Sequence, residues 1–335
     1  MGTPSTTKFS FKKRAARYQP VNAYWMSCAS GLVYSDAGEL TRALKTWGFS
    51  RVNVVSRGST QCVIANDGKM ALVSFRGTET DQIGDVLADL EFTQRSAHGG
   101  RVHSGFYRAY AQVRSRVRSQ VAAHVADGQT LWIAGHSLGG ALATLAAIDL
   151  CEQGRTVHGV YTYGQPHVGD ASFRDHYNKQ LRGRHYRIAN VNDLVPNLPL
   201  RKTEVDPIDT EYSHVGAEIL IAPGDRLTLQ YRRSRNILNQ FKSVGEALPC
   251  HAWAGYIRAM MANIDKSPFD APDTVLTEGG LLTPEEIAAW AKGPITDFVS
   301  AASSAGSGLQ GGAQSVGDAL ESGVKSTRDF FKKLF

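Results

Sequence analysis

The nine residues WIAGHSLGG at positions 132–140 decide the predicted fold, and they contain the pattern Gly-x-Ser-x-Gly around Ser137. An apolar segment leads into Gly135, and an Ala- and Leu-rich pattern of helical period begins at Leu138. Glycines two positions either side of a serine allow a tight turn from strand to helix, which projects the hydroxyl clear of its own chain. The pattern therefore predicts Ser137 as a nucleophile beside the positive N-terminal end of a helix.

The chain around this turn alternates between strand-like and helix-like segments. The predicted strands are Leu131–Ala134, Val157–Thr162 and His185–Ala189, and the predicted helices are Phe106–Val125, Leu138–Cys151 and Ala171–Leu181. This order requires crossover connections, so it predicts an α/β fold with a mostly parallel central sheet flanked by helices.

Upstream of this alternation, the pattern predicts helix followed by antiparallel strands. A helical region runs to Trp47, and its apolar residues from Tyr24 to Val33 suggest an amphipathic helix. A strand at Arg51–Val55 follows. Two further strands, Thr60–Ala65 and Lys69–Phe75, are separated by the turn residues Asn-Asp-Gly, which predicts a hairpin.

Composition and charge divide the 335 residues into three parts. We predict a flexible N-terminus over residues 1–18, a single α/β domain over 19–265, and a Pro/Gly/Ser-rich extension over 266–335. The net charge is +6, but residues 1–265 alone carry 31 basic and 22 acidic residues, a net +9. Such a body suits an anionic surface, although solubility explains it equally simply.

The end of the extension has its own pattern. Val316, Leu320 and Val324 are spaced by four, and the aromatic and basic residues 330–335 follow. This predicts an amphipathic terminal helix that either contacts a membrane surface or packs back onto the body.

Neither a metal site nor a membrane span is predicted. The four cysteines, Cys28, Cys62, Cys151 and Cys250, form no C-x-x-C pair, so we expect free thiols and no zinc site. No run of about 18 apolar residues occurs and no clear signal peptide is present. The localisation is left unknown, with a cytoplasmic protein as the default, or one at a membrane periphery or exported without a cleaved signal.

A serine needs an imidazole to take its proton and a carboxylate to hold that imidazole. In this fold the acid and then the histidine follow the serine along the chain. Asp193 follows a strand and precedes Pro196, so it is the preferred acid over Asp206 and Asp209. Chain order leaves two histidines as candidates for the base, His214 and His251.

Several ordered motifs resemble the class 3 lipases, an α/β-hydrolase group that includes filamentous fungal triacylglycerol lipases. The resemblance extends from about residue 22 to 256. The motifs are SFRGT at 74–78, VHSGF at 102–106, the turn around Ser137, YGQP at 163–166, NDLVP at 192–196 and YSHVG at 212–216.

The resemblance implies Ser137 as nucleophile, Asp193 as acid and His251 as base, with His214 structural. It also implies an oxyanion hole formed by the backbone N–H groups of Leu138 and Thr78, with the Thr78 hydroxyl assisting. No metal or organic cofactor is needed. The family usually has arginine after the GQP motif, where this chain has His167.

The resemblance also places a short helical lid between Thr78 and Val102. Here Ile83, Val86, Leu87 and Leu90 form an apolar stripe of helical spacing. Such a helix would cover an acyl groove in water and move away at a lipid surface, whereas a fixed helix packed on the body is the alternative.

We therefore expect a serine carboxylester hydrolase that acts on acylglycerols at an emulsion or membrane surface. A phospholipase A1 or a soluble short-chain esterase would use the same residues. A non-catalytic lipid- or protein-docking module is the alternative from another class, and it would require damaged catalytic positions. Clusters of arginine such as Arg114, Arg116 and Arg118 lack any recognised nucleic-acid-binding motif, so no nucleic-acid partner is expected.

Overall fold

The computed structural model describes residues 8–78, 93–199, 212–229 and 248–269. Its helices are α1 (Pro20–Leu32), α2 (Ala37–Thr46), α3 (Ser104–His124), α4 (Leu138–Glu152), α5 (Ala171–Leu181) and α6 (Trp253–Ala262). Its strands are β1 (Arg51–Arg57), β2 (Thr60–Asn66), β3 (Met70–Phe75), β4 (Gln94–Ala97), β5 (Gly100–His103), β6 (Thr130–His136), β7 (Gly159–Tyr163), β8 (His185–Asn190), β9 (Ala217–Ala222) and β10 (Arg226–Thr228).

Eight of these strands form one sheet in the order β1-β2-β3-β6-β7-β8-β9-β10. The five central strands from β3 to β9 run parallel, and the antiparallel strands β1, β2 and β10 lie at the two edges. The mostly parallel sheet predicted from the sequence is confirmed. The carboxyl ends of β3, β6, β7 and β8 meet at one edge, which is where such sheets place ligand groups.

Helices cover both faces of the sheet, and each layer has its own apolar cluster. On one face, α1 and α6 pack over Leu72, Trp132 and Tyr161, among others. On the other face, α3, α4 and α5 pack over the opposite side chains of the same strands, such as Val73 and Ile133. Because the central strands are covered on both faces, most of their side chains are apolar.

The N-terminal helix differs from its prediction. Twelve of the thirteen residues of α1 are buried, so the predicted amphipathic helix is wrong. The helix is enclosed because α6 and the sheet pack on it and the aromatic side chains of Phe9 and Trp47 cover its outer side. A helix that is buried on nearly all sides carries no polar face.

The helical region predicted to run to Trp47 is two helices. Asp36 caps α2, and its carboxylate accepts hydrogen bonds from the backbone N–H groups of Gly38 and Glu39, each at 2.9 Å. Such an N-cap starts a new helix rather than continuing the previous one. The hairpin of β2 and β3 is confirmed, with antiparallel pairing of its strands.

Residues 8–18, the described part of the predicted flexible N-terminus, pack on the body. The ring of Phe9 stacks on Trp47 with centroids 5.4 Å apart, and Phe11 meets the edge of Trp132 at 4.9 Å. Among the described residues, no helix is long and apolar enough to cross a membrane.

Stability should decrease as the pH is lowered, because β8 begins with a buried histidine, His185. Burial lowers the pKa of His185 to about 3, and both ring nitrogens are hydrogen-bonded, to Thr162 at 3.0 Å and Tyr177 at 2.8 Å. The unfolded chain protonates this histidine near pH 6.5, so its stabilising contribution is complete above that pH and is lost on acidification towards pH 3. At pH 5 the loss should be about 2 kcal/mol.

Urea unfolding at pH 7.5 and pH 5 measures this loss, with His185→Gln as the control. The free energy of unfolding of the variant should depend less steeply on pH over this interval. Equal slopes for the two proteins would contradict the assignment.

Candidate active site

The turn between β6 and α4 has the geometry that the Gly-x-Ser-x-Gly pattern predicts. Ser137 has φ +58° and ψ −131°, a strained conformation for a residue with a side chain. A Cβ on Gly135 would lie 2.1 Å from the carbonyl oxygen of Gly139, and one on Gly139 would lie 2.3 Å from that of Phe75. Only glycine fits at these two positions, so the sequence pattern is a direct consequence of backbone packing.

A buried carboxylate and a buried imidazole face each other next to this turn. Nδ1 of His251 lies 2.7 Å from Oδ2 of Asp193, and the two residues are 0% and 1% exposed. Asp193 follows β8 in the loop that precedes Pro196, and His251 ends a short 3₁₀ turn, Leu248–His251, before α6. Residues 58 positions apart in the chain are thus joined at the carboxyl edge of the sheet.

Two further donors hold the Asp193 carboxylate. The hydroxyl of Tyr256 donates to Oδ2 at 2.6 Å, and the backbone N–H of Val195 donates to Oδ1 at 2.9 Å. The Tyr256 oxygen also accepts from the backbone N–H of Asn190 at 3.1 Å. A carboxylate with three donors stays in one orientation, and so does the imidazole bound to it.

The hydrogen bond to Asp193 determines the proton on His251. Because a carboxylate accepts, Nδ1 carries the hydrogen, and Nε2 keeps its lone pair. Nε2 is buried and has no hydrogen-bond partner in the described part of the chain. A buried acceptor without a partner costs free energy, so its presence suggests a task outside folding.

The loop after β3 runs along the other side of the serine. A Cβ on Gly77 would lie 3.2 Å from Cβ of Ser137 and 2.6 Å from the carbonyl oxygen of His136. Thr78 follows directly, and Leu138 begins α4, where the first backbone N–H groups have no partner within the helix. The two residues expected to form an oxyanion hole therefore belong to segments that flank Ser137.

The structure places His214 outside this cluster. Its Nε2 lies 2.7 Å from the carbonyl oxygen of Pro196, and its ring stacks on His167 with centroids 3.8 Å apart. His214 therefore contacts the backbone of the acid loop rather than its carboxylate. The rival acids Asp206 and Asp209 lie outside the described residues, as do the lid positions Ile83, Val86, Leu87 and Leu90.

This geometry agrees with the comparison to protein families. The model of the family Lipase (class 3) matches residues 72–203, which include the turn around Ser137 and the loop of Asp193. The match covers a little over a third of the chain, so this segment is similar to the class 3 lipases.

Two curated lipases are similar to this chain over part of their length. A "Lipase" from Rhizomucor miehei is 30% identical over 210 residues, which cover 59% of this chain and 53% of that protein. "Secreted mono- and diacylglycerol lipase 1" from Fusarium solani is 33% identical over 164 residues, covering 48% and 46%. The chain thus spans about half the length of these two relatives.

A solved structure agrees with the fold. A mutant form of MDLA from Penicillium cyclopium is 25% identical, with a TM-score of 0.50, over 62% of this chain and 80% of that one. The parallel sheet between two helical layers, with its strand-to-helix turn at Ser137, is the α/β-hydrolase fold.

The sequence reasoning missed three residues that hold the candidate site together. They are Tyr256, which binds Asp193, and the linked pair Tyr34 and His136. A sequence signal for the role of Tyr256 was available, because the hydroxyl of a buried tyrosine usually forms a hydrogen bond.

The described residues also bear on metal sites and disulfide bonds. No group of three His, Cys, Asp or Glu side chains within it is arranged to hold a metal ion. The four cysteines are not joined by disulfide bonds in this structure.

Replacing Gly164 by alanine should disturb the acid–base pair. Gly164 follows β7 with φ +58°, and a Cβ there would lie 2.8 Å from Cε1 of His251 and 3.0 Å from Oδ2 of Asp193. We expect kcat for ester hydrolysis to fall about 10- to 100-fold, since small displacements of reacting groups cost this much. Ester hydrolysis and thermal unfolding are measured together.

Gly154→Ala is the matched control. Gly154 also has a positive φ, +76°, but a Cβ there meets nothing within 4 Å. Both variants should lose about 1 kcal/mol of stability from the backbone conformation, while only Gly164→Ala should lose activity. Equal kcat values for the two would contradict the proposed role of the acid–base pair.

Proposed function

We propose that this chain is a serine carboxylester hydrolase that cleaves acylglycerol esters through an acyl-enzyme. The observation that carries the proposal is the buried Asp193–His251 hydrogen bond of 2.7 Å beside the strained turn of Ser137. The names of the relatives, a lipase and a mono- and diacylglycerol lipase, support acylglycerols as substrates.

The proposed reaction begins when Nε2 of His251 takes the proton of the Ser137 hydroxyl. The serine oxygen attacks the ester carbonyl carbon, and Asp193 stabilises the imidazolium that forms. The carbonyl oxygen becomes an oxyanion, which we place against the backbone N–H groups of Leu138 and Thr78. Losing one such donor typically costs about 3 kcal/mol of transition-state stabilisation.

The imidazolium then protonates the leaving alcohol, which departs and leaves the acyl group on Ser137. Water enters, and its oxygen attacks the acyl carbon while His251 takes one of its protons. The bond between the acyl group and Ser137 then breaks, the imidazolium returns the proton to the serine oxygen, and the fatty acid leaves. In this scheme His251 receives a proton from Ser137 during acylation and returns a proton to Ser137 during deacylation. His251 needs a free Nε2 for both transfers, which agrees with the absence of a partner on that atom in the described residues.

We propose that the enzyme meets its substrate at a lipid surface. The net charge of +9 on residues 1–265 favours an anionic surface. The lid stripe 83–90 and the terminal stripe 316–324 are the two segments whose patterns suit contact with lipid. We assign the hydrolase domain to residues 19–265 and treat 266–335 as an appendage.

An acyl-chain series tests the proposed activity. p-Nitrophenyl esters of increasing chain length are followed by emulsified triglyceride and by phospholipid. We expect long-chain esters and emulsified acylglycerol to be hydrolysed. A preference for soluble short-chain esters would indicate an esterase, and a preference for phospholipid a phospholipase A1. Failure on all of these esters would favour the non-catalytic docking module.

A further inference from the structure

We propose that Tyr34 and His136 are positioning residues for the base, because together they fix the main chain of His251. The inference rests on the proposed function above. Nε2 of His136 lies 2.7 Å from the backbone carbonyl oxygen of His251, and Nδ1 of His136 lies 3.1 Å from the hydroxyl of Tyr34. His136 directly precedes Ser137, so one imidazole links the serine turn to the base.

The directions of these two hydrogen bonds follow from the chemistry of the groups. A carbonyl oxygen only accepts, so Nε2 of His136 carries the hydrogen. His136 is 1% exposed, and burial together with the nearby His251 lowers its pKa well below the usual value. The ring is therefore neutral, Nδ1 is an acceptor, and the Tyr34 hydroxyl donates to it. Tyr34 thus selects the tautomer of His136 that can bind His251.

Tyr34 also joins the loop expected to supply the oxyanion hole. A Cβ on Gly77 would lie 2.4 Å from the Tyr34 hydroxyl oxygen, so this loop packs directly on it. The Tyr34 ring stacks on Trp253, the first residue of α6, with centroids 6.4 Å apart and planes 15° apart. One side chain from the end of α1 therefore touches the three segments that carry the oxyanion loop, the serine and the base.

The main chain at His251 needs such an anchor. His251 lies at the end of the four-residue 3₁₀ turn and two residues before α6 begins. Its Nδ1 is held by Asp193, but one hydrogen bond leaves the ring free to tilt around it. The bond from His136 to the backbone carbonyl and the ring contact between the two histidines, with centroids 4.6 Å apart, restrain that tilt.

A second buried tyrosine–histidine pair provides a control that separates an effect on the position of the base from an effect on stability alone. Tyr177 and His185 also bind through a tyrosine hydroxyl and Nδ1, at 2.8 Å, and both are buried. His185 begins β8 at its amino end, opposite to the carboxyl end that leads to Asp193. Tyr177→Phe therefore removes the same type of hydrogen bond at a site with no proposed part in the reaction.

The test compares two amides at position 136. A glutamine amide reaches the place of Nε2 and can still donate to the His251 carbonyl, whereas an asparagine amide reaches only the place of Nδ1. We expect His136→Asn to lower kcat about 10- to 100-fold with less than a twofold change in KM, and His136→Gln to stay within about threefold of the unmutated protein. Tyr34→Phe should lower kcat by about 3- to 10-fold, and Tyr177→Phe should leave kcat unchanged.

The proposal is overturned if His136→Asn and His136→Gln have the same kcat, or if Tyr177→Phe lowers kcat as much as Tyr34→Phe. An unmutated protein without esterase activity would contradict the proposed function instead. In that case NMR tests the positioning role, because it measures the low-field proton resonance of the His251–Asp193 hydrogen bond. His136→Asn should shift or broaden that resonance and His136→Gln should not, and identical spectra would overturn the inference.

Discussion

Replacing Ser137 by alanine should lower kcat for ester hydrolysis by roughly 10⁶-fold, the loss typical of removing the nucleophile from a triad that works as a unit. The alanine variant cannot form an acyl-enzyme, so the activity that remains would come from substrate binding and the oxyanion hole. The initial rate of p-nitrophenyl ester hydrolysis measures the loss, and mass spectrometry after a fluorophosphonate inhibitor checks that the label is lost at position 137.

Ser119→Ala is the matched control for this experiment. Ser119 lies on the exposed side of α3, and its hydroxyl donates to the carbonyl oxygen of Arg116 at 3.0 Å. This change should leave both kcat and the melting temperature nearly unaltered. Full activity in Ser137→Ala would show that the proposed mechanism is wrong.

Replacing His251 by alanine should have a similarly large effect, roughly 10⁶-fold on kcat, because the serine hydroxyl then has no base. Asp193 and Tyr256 would remain in place but would hold no imidazole. The measurement is single-turnover hydrolysis of a p-nitrophenyl ester, which separates acylation from release of the acid.

His214→Ala provides the comparison that decides between the two candidate bases. This histidine binds the carbonyl oxygen of Pro196 and stacks on His167, so its loss should destabilise the acid loop while leaving a folded, partly active enzyme. An inactive His214→Ala together with an active His251→Ala would reverse the assignment of the base.

Much of the fold was predictable because local patterns and tertiary packing agree. The predicted helix Ala171–Leu181 is observed with the same bounds, and the Gly-x-Ser-x-Gly turn lies between a strand and a helix as expected. Exposure was harder to predict. The apolar side chains of α1 suggested one buried face, but the few polar residues between them are buried as well, since the hydroxyls of Ser27 and Ser30 bond to carbonyl oxygens of the same helix.

Four strands were not predicted from the sequence. The strands β9 and β10, Ala217–Ala222 and Arg226–Thr228, were not predicted, nor was the hairpin of β4 and β5. The strands β4, β5 and β10 have only three or four residues and are partly exposed, so their sequences carry little of the continuous apolar pattern that marks the central strands. Their pairing depends on the neighbouring strand rather than on local propensity. The strand β9 has a buried apolar run over its last four residues, and the sequence analysis overlooked it.

The sequence by itself determined the strand-to-helix turn and its serine, because the glycines at 135 and 139 are required by contacts below 2.5 Å that any side chain would break. It also determined the chain order of acid and histidine. Only the tertiary structure decided between His214 and His251 as partner of Asp193, because that partnership is a contact between residues far apart in the chain. The same holds for Tyr34, His136 and Tyr256, whose hydrogen bonds form only when α1, α6 and the carboxyl edge of the sheet come together.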